Sequence, residues 1–331
     1  MKYIKKLLLL VLVSTLNADQ FSFQFNNDFF AGTDQHFTNG VAISWLDDTF
    51  NRDDNCTEEN YLSLILSIAD KNPLKISEIN SHYNLGISIS QIIITPMDTT
   101  ISIPQYDDIP YAGYLALSAY LFEWNTNSFN EFRIEVGVVG EEALGEQVQN
   151  GFHTLIGNEK LKGWDTQLGT QYTVNALFRH GDISWKSHKN EGLSMDWFNH
   201  YGLNIGNFIA DVFVGTMFRV GENYVENFNV HYPYLREEAS LLQLAKQNRG
   251  FGWALSAGLN GELLAYSYIL DKAKDEGYET SKRVFNASLY IGIDLLYNVH
   301  KITYFYQSQS AYTYKQGSPD TFGGFMYSYQ F

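Results

Sequence analysis

Glu131 to Val138, EFRIEVGV, sets Phe132, Ile134, Val136 and Val138 on one face and Glu131, Arg133, Glu135 and Gly137 on the other. Strict alternation of this kind marks a strand, whose successive side chains point to opposite sides. One face suits lipid; the other needs water or ion pairs. Val284 to Leu295 repeats the pattern, with Phe285, Ala287, Leu289, Ile291, Ile293 and Leu295 opposing Asn286, Ser288, Tyr290, Gly292 and Asp294. It runs to the last residue, where Phe325, Tyr327, Tyr329 and Phe331 oppose Gly324, Met326, Ser328 and Gln330.

The rest of the composition agrees with strands that face lipid on one side. Aromatic residues make up 16% of the chain, yet mean hydropathy is slightly negative, because outward apolar and inward polar residues average out. A chain that ends in an outward aromatic resembles the bacterial outer-membrane barrels; a soluble β-sandwich with aromatic strands is the alternative. The expected fold is all-β: a transmembrane antiparallel up-and-down β-barrel of about twelve strands, with a short helix in an extracellular loop. Strands are expected to begin near Phe21, His36, Leu85, Gly113, Glu131, Leu168, Ser194, Phe208, Phe251, Val284, Val299 and Thr321. An even count puts both termini on the periplasmic side. Loops near 29–36, 96–112, 141–167, 206–207, 271–282 and 311–320 then face outward. The long connections near 47–81 and 220–249 are periplasmic, and Leu62 to Ile68 in the first could form a short helix or plug.

Lys2, Lys5 and Lys6 precede an apolar run from Leu7 to Val13 and a polar start at Asp19. This reads as a signal peptide over residues 1–18, followed by one barrel domain over 19–331. The run is too short for a membrane helix, which needs roughly 20 apolar residues. Loss of the three leader lysines takes the formal charge from −15 three units further, to −18. Nucleic acid is excluded as a partner by that charge, and an acidic protein among phosphate-bearing lipids calls for divalent cations nearby. The single Cys56 allows no intramolecular disulfide.

Chemistry gathers at the outer rim. Within EQVQNGFHTLIGNEKLKGW, Glu146 to Trp164, the residues Val148, Phe152, Leu155 and Ile156 recur at helical spacing and predict a short amphipathic helix ending at Gly157. Gln149 and His153 fall one turn apart on it. Spacing alone leaves His153 as either a solvated loop histidine or a general base. Asp28, at the end of the first strand, is a turn aspartate or a metal ligand, and Glu159 a solvated loop charge or a second ligand. Both would supply the hard oxygen that calcium prefers.

Five short motifs in this order resemble the outer-membrane lipid A 3'-O-deacylase family. They are Asn27-Asp28, Thr38-Asn39-Gly40, the Q-x-x-x-T-P of Gln91 to Pro96, the P-Y-A-G of Pro110 to Gly113, and G-E-Q-V-Q-N-x-x-H from Gly145 to His153 with Gly157 and Gly163-Trp164 after it. The match spans most of residues 20–170. The resemblance implies a monomeric enzyme of the bacterial outer membrane whose partners are lipid A, or lipopolysaccharide, and membrane lipid. In that family the site lies between the wall and a helix of an external loop, and the ester holding the 3'-linked acyloxyacyl chain is cleaved. By the same resemblance His153 activates water with Asn27, Asp28 and Glu159 as catalytic neighbours, Thr38 and Gln149 contact substrate, and Asp28 and Glu159 hold Ca2+. In one respect the chain departs: some members carry a lysine in the loop after the third strand, and Pro96 to Pro110 holds none. Two other readings stay open, an outer-membrane phospholipase with a serine nucleophile and a non-enzymatic pore or adhesin.

Overall fold

The computed structural model describes residues 18–28, 36–47, 50–51, 81–187, 192–224 and 250–331. All of the expected leader over 1–18 except Ala18, and the segment Leu62 to Ile68, lie outside them. Twelve strands form the wall: β1 (Ala18–Asn27), β2 (His36–Asp47), β3 (His82–Thr95), β4 (Ala112–Trp124), β5 (Ser128–Val139), β6 (Gln171–Ser187), β7 (Ser194–Gly206), β8 (Ile209–Glu222), β9 (Phe251–Ser267), β10 (Phe285–Tyr297), β11 (His300–Gln309) and β12 (Asp320–Gln330). Each pairs antiparallel with its neighbour in sequence, and β1 pairs with β12 from Gln20 opposite Gln330 to Asn27 opposite Gly323. That last ladder closes the ring and rules out a sandwich. Closure is what lets strands cross a bilayer, because it leaves no unpaired edge in hydrocarbon. The two residues Phe50–Asn51 extend the sheet beside Tyr83 and His82.

The alternation seen in the sequence sorts cleanly by side. Ile134, Val136, Phe285, Leu289, Ile291 and Leu295 are exposed on the outer surface, where lipid meets them. The charges expected in the lumen, Arg133, Glu135, Asp211, Arg219, Glu262 and Asp294, are all buried. Arg219, Glu135, Asp211 and Asp294 find partners inside the wall. Arg219 donates from Nε and Nη2 to the two carboxylate oxygens of Asp196 at 2.8 and 2.7 Å. Arg179 pairs with Glu131, and Glu135 accepts from Tyr114 Oη at 2.7 Å and Ser118 Oγ at 3.2 Å. Buried charge is tolerated where an opposite charge or a hydrogen-bond donor is supplied in this way.

At the outer end the chain adds a helix where the sequence suggests only a loop over 271–282. Helix α2 (Tyr268–Asp275) buries Ile269, Leu270 and Ala273 in an apolar cluster with Tyr114, Phe208 and Tyr312. It starts at Ser267, whose hydroxyl accepts from Leu270 N at 3.5 Å, a serine N-cap. Two turns are too few to stand out from the strand pattern before them. The loop between β3 and β4 joins this cap: Glu279 N donates to Tyr106 O at 2.7 Å, and the rings of Tyr106 and Tyr278 lie 5.0 Å apart. Those loops leave the wall six strands apart, so the contact spans the mouth.

Candidate active site

The predicted helix is present as α1 (Gly145–Ile156), and it lies outside the wall, against β3 and β4. Its seat is built from glycine. A Cβ on Gly113 would stand 3.2 Å from Gly145 Cα and N, and one on Gly145 would stand 2.7 Å from the ring of Trp164. Strand and helix backbones therefore meet directly, as they can only without side chains. Gln91 reaches from the outward register of β3 and donates from Nε2 to Ala143 O at 2.6 Å, just before the helix. Tyr111, Ile93, Leu161 and Trp164 form an apolar knot behind it.

Cross-strand register explains why motifs distant in sequence belong together. Asn27 lies opposite Asn39, Asn39 opposite Ile93, and Ile93 opposite Gly113. This is one row across β1, β2, β3 and β4 on the outer face, leading to the start of α1. Adjacent strands are about 4.8 Å apart, so the row spans roughly 14 Å. Outward positions at lipid depth are apolar elsewhere on these strands, Phe23, Phe25, Ile43 and Ile89 among them. Two asparagines break that pattern, on the two strands beside those that seat the helix. The register of β2 against β3 shifts between Phe37 and Asn39, which places a bulge at Thr38. Such bulges recur at barrel rims and beside sites. Asp28, one residue beyond the row, is buried, with 3% of its surface exposed.

The end of α1 sets the chemistry of His153. Gly157 takes a left-handed φ of 79°, Gly157 N donates to Thr154 O at 3.4 Å and Asn158 N to His153 O at 2.8 Å. This is a Schellman cap, whose paired bonds turn the chain back on itself. Three residues on, Asn150 Oδ1 accepts from Leu161 N at 2.9 Å. Held at both sides, Glu159 presents its main-chain oxygen 2.7 Å from His153 Nδ1. A carbonyl oxygen only accepts, so the ring donates from Nδ1–H, and in the neutral ring Nε2 keeps its lone pair.

Two expected groups thus meet, although through the backbone of Glu159; its carboxylate is exposed. Gln149, one turn before His153, is 5% exposed, and its Oε1 has no hydrogen-bond donor. A buried acceptor without a donor is a place for a cation or a ligand N–H or O–H. Among the described residues no three His, Cys, Asp or Glu side chains gather into a metal cluster. The residues that sequence reading left without roles are Gln91, Gly113, Asn150 and Trp164. All four sit within the recognised motifs, but only the fold shows that they seat the helix and its return loop.

The family model "Outer membrane protein LpxR" matches residues 6–331. Among solved structures, LpxR from Salmonella typhimurium superposes with a TM-score of 0.73 at 15% identity, covering 94% of this chain and all of the other. The β domain of the Bordetella autotransporter BrkA gives a TM-score of 0.43 at 7% identity, covering 95% of this chain and 100% of that one. A search of curated protein sequences gives no match.

Proposed function

From the premise that the chain belongs to the LpxR family of bacterial outer membrane proteins, we propose that it is a lipid A 3'-O-deacylase that hydrolyses the ester of the 3'-linked acyloxyacyl chain. The observation that carries this reading is the bond from His153 Nδ1 to the Glu159 carbonyl. It fixes the ring so that Nε2 is the base, in a groove that lies outside the barrel wall, where a membrane lipid can enter sideways.

The chain's own groups divide the work as follows. His153 Nε2 accepts the proton of the attacking water, and the Glu159 carbonyl stabilises the imidazolium that results. On collapse of the tetrahedral intermediate the same nitrogen returns its proton to the departing sugar oxygen. The products are a free fatty acid and a lipid A carrying a 3'-hydroxyl. The asparagine row and Gln149 orient the polar ester region of the substrate, and Thr38 flanks it at the bulge.

The donor set fits calcium in kind. Asp28 and Glu159 offer carboxylates and Gln149 an amide oxygen that lacks a donor, all hard oxygen ligands. Calcium held by these residues would supply positive charge for the developing oxyanion where solvent is scarce. The test is mass spectrometry of lipid A from cells expressing the protein or His153→Ala. Loss of the 3' chain with the first and its retention with the second is expected; equal loss in both removes the histidine mechanism.

A further inference from the structure

Resting on the lipid A reading, we propose that Lys160 and Lys162 bind the phosphate that neighbours the target ester, and so select phosphorylated lipid A. The chain is acidic overall, and half of the lysines of the outer end among the described residues are committed within it. Lys272 pairs with Glu276 at 3.1 Å, Lys282 with Asp271 at 2.5 Å and Lys315 with Glu279 at 2.6 Å. Lys160 and Lys162 are exposed and have neither an ion pair nor a side-chain hydrogen bond among the described residues. Lys274 is likewise unpaired, but it stands on α2, across the mouth.

Position separates the first two from ordinary surface lysines. They flank Leu161, which is buried and whose N–H is held by Asn150. Lys162 N donates to Thr99 O at 3.2 Å. Both are therefore presented from a clamped backbone, one and three residues from the carbonyl that orients His153. The helix before them turns Val148, Phe152 and Leu155 outward, with Leu155 82% exposed. An apolar helix face that ends in two free cations matches an anionic lipid, with chains along the helix and headgroup at its end. Lipid A carries a 4'-phosphate on the carbon next to the 3' ester, within reach of a group that stands beside the base. Lysine suits that task as a mobile point charge.

The experiment measures binding and hydrolysis together, in micelles of neutral detergent so that no other anionic lipid is present. Lys160→Gln/Lys162→Gln is compared with the unaltered protein on lipid A with and without its 4'-phosphate. The double variant is expected to weaken binding and raise KM about fivefold on the phosphorylated form, as two exposed ion pairs allow. It leaves kcat unchanged, has no effect on the dephosphorylated form, and is rescued by Arg at both positions. Lys274→Gln changes nothing. An equal effect on both lipids, or none on either, overturns the proposal. Failure of the unaltered protein to hydrolyse either lipid, with the binding difference intact, counts against the deacylase reading alone.

Discussion

At the scale of single residues, the site is legible in kind but not in connection. The sequence supplies a histidine, an amide and two carboxylates, and Glu159 is expected to act beside His153 through its side chain. In the fold it is the main-chain oxygen that faces the imidazole, a contact made by the Gly157 cap and invisible to any pattern of side chains. The two parts of Glu159 can be separated by experiment. Glu159→Gln keeps the carbonyl and removes the carboxylate proposed to hold calcium, so activity should need more calcium but recover at saturation. Asn150→Ala keeps both carboxylates and releases Leu161 N, at a cost of about 1 kcal/mol for the lost bond. It should lower kcat at every calcium concentration. Calcium titrations of the two purified variants distinguish these outcomes, and identical titration curves would contradict the division of roles.

Among elements, the strands were readable because period-two alternation survives any sequence context, and each expected start lies within about three residues of the observed one, the margin over which strand ends fray. Helix α1 was readable for the same reason at the other period. Its orientation was not: an amphipathic helix is expected to turn its apolar stripe inward, and here Val148, Phe152 and Leu155 face out because the surrounding medium is lipid. What faces in is glycine and glutamine. The seat makes Gly145→Val a sharp test, since the added carbons meet Trp164 and Gly113 at once. Loss of deacylation with an intact barrel, shown by the shift in gel mobility on heating, is expected. Gly157→Ala meets no atom, so only its left-handed backbone is penalised, by about 1 kcal/mol. A partial fall in kcat should follow, smaller than that of Gly145→Val.

For the whole molecule the question is whether the cylinder conducts. Twelve strands can enclose water or fill themselves, and composition cannot choose, because a lumen of paired charges and a lumen of hydrated ones contain the same residues. Burial of the charged pairs between neighbouring strands on the lumen face decides it. Arg219 with Asp196 and Arg179 with Glu131 are buried to 2% exposure or less on both sides, and α2 with the Tyr106 strap covers the outer mouth. Purified protein in a planar bilayer should therefore give no stable stepwise current. Removing one partner probes the same interior from the side of stability. Asp196→Ala leaves Arg219 charged, buried and stripped of both its carboxylate bonds, a change that costs about 3–5 kcal/mol in comparable sites. Its barrel should unfold at lower urea in micelles, whereas Lys272→Ala, which breaks an exposed pair on α2, should shift the midpoint hardly at all. If both variants unfold with the parent, the buried pairs do not hold the wall together, and the sealed interior must rest on the strand ladders alone.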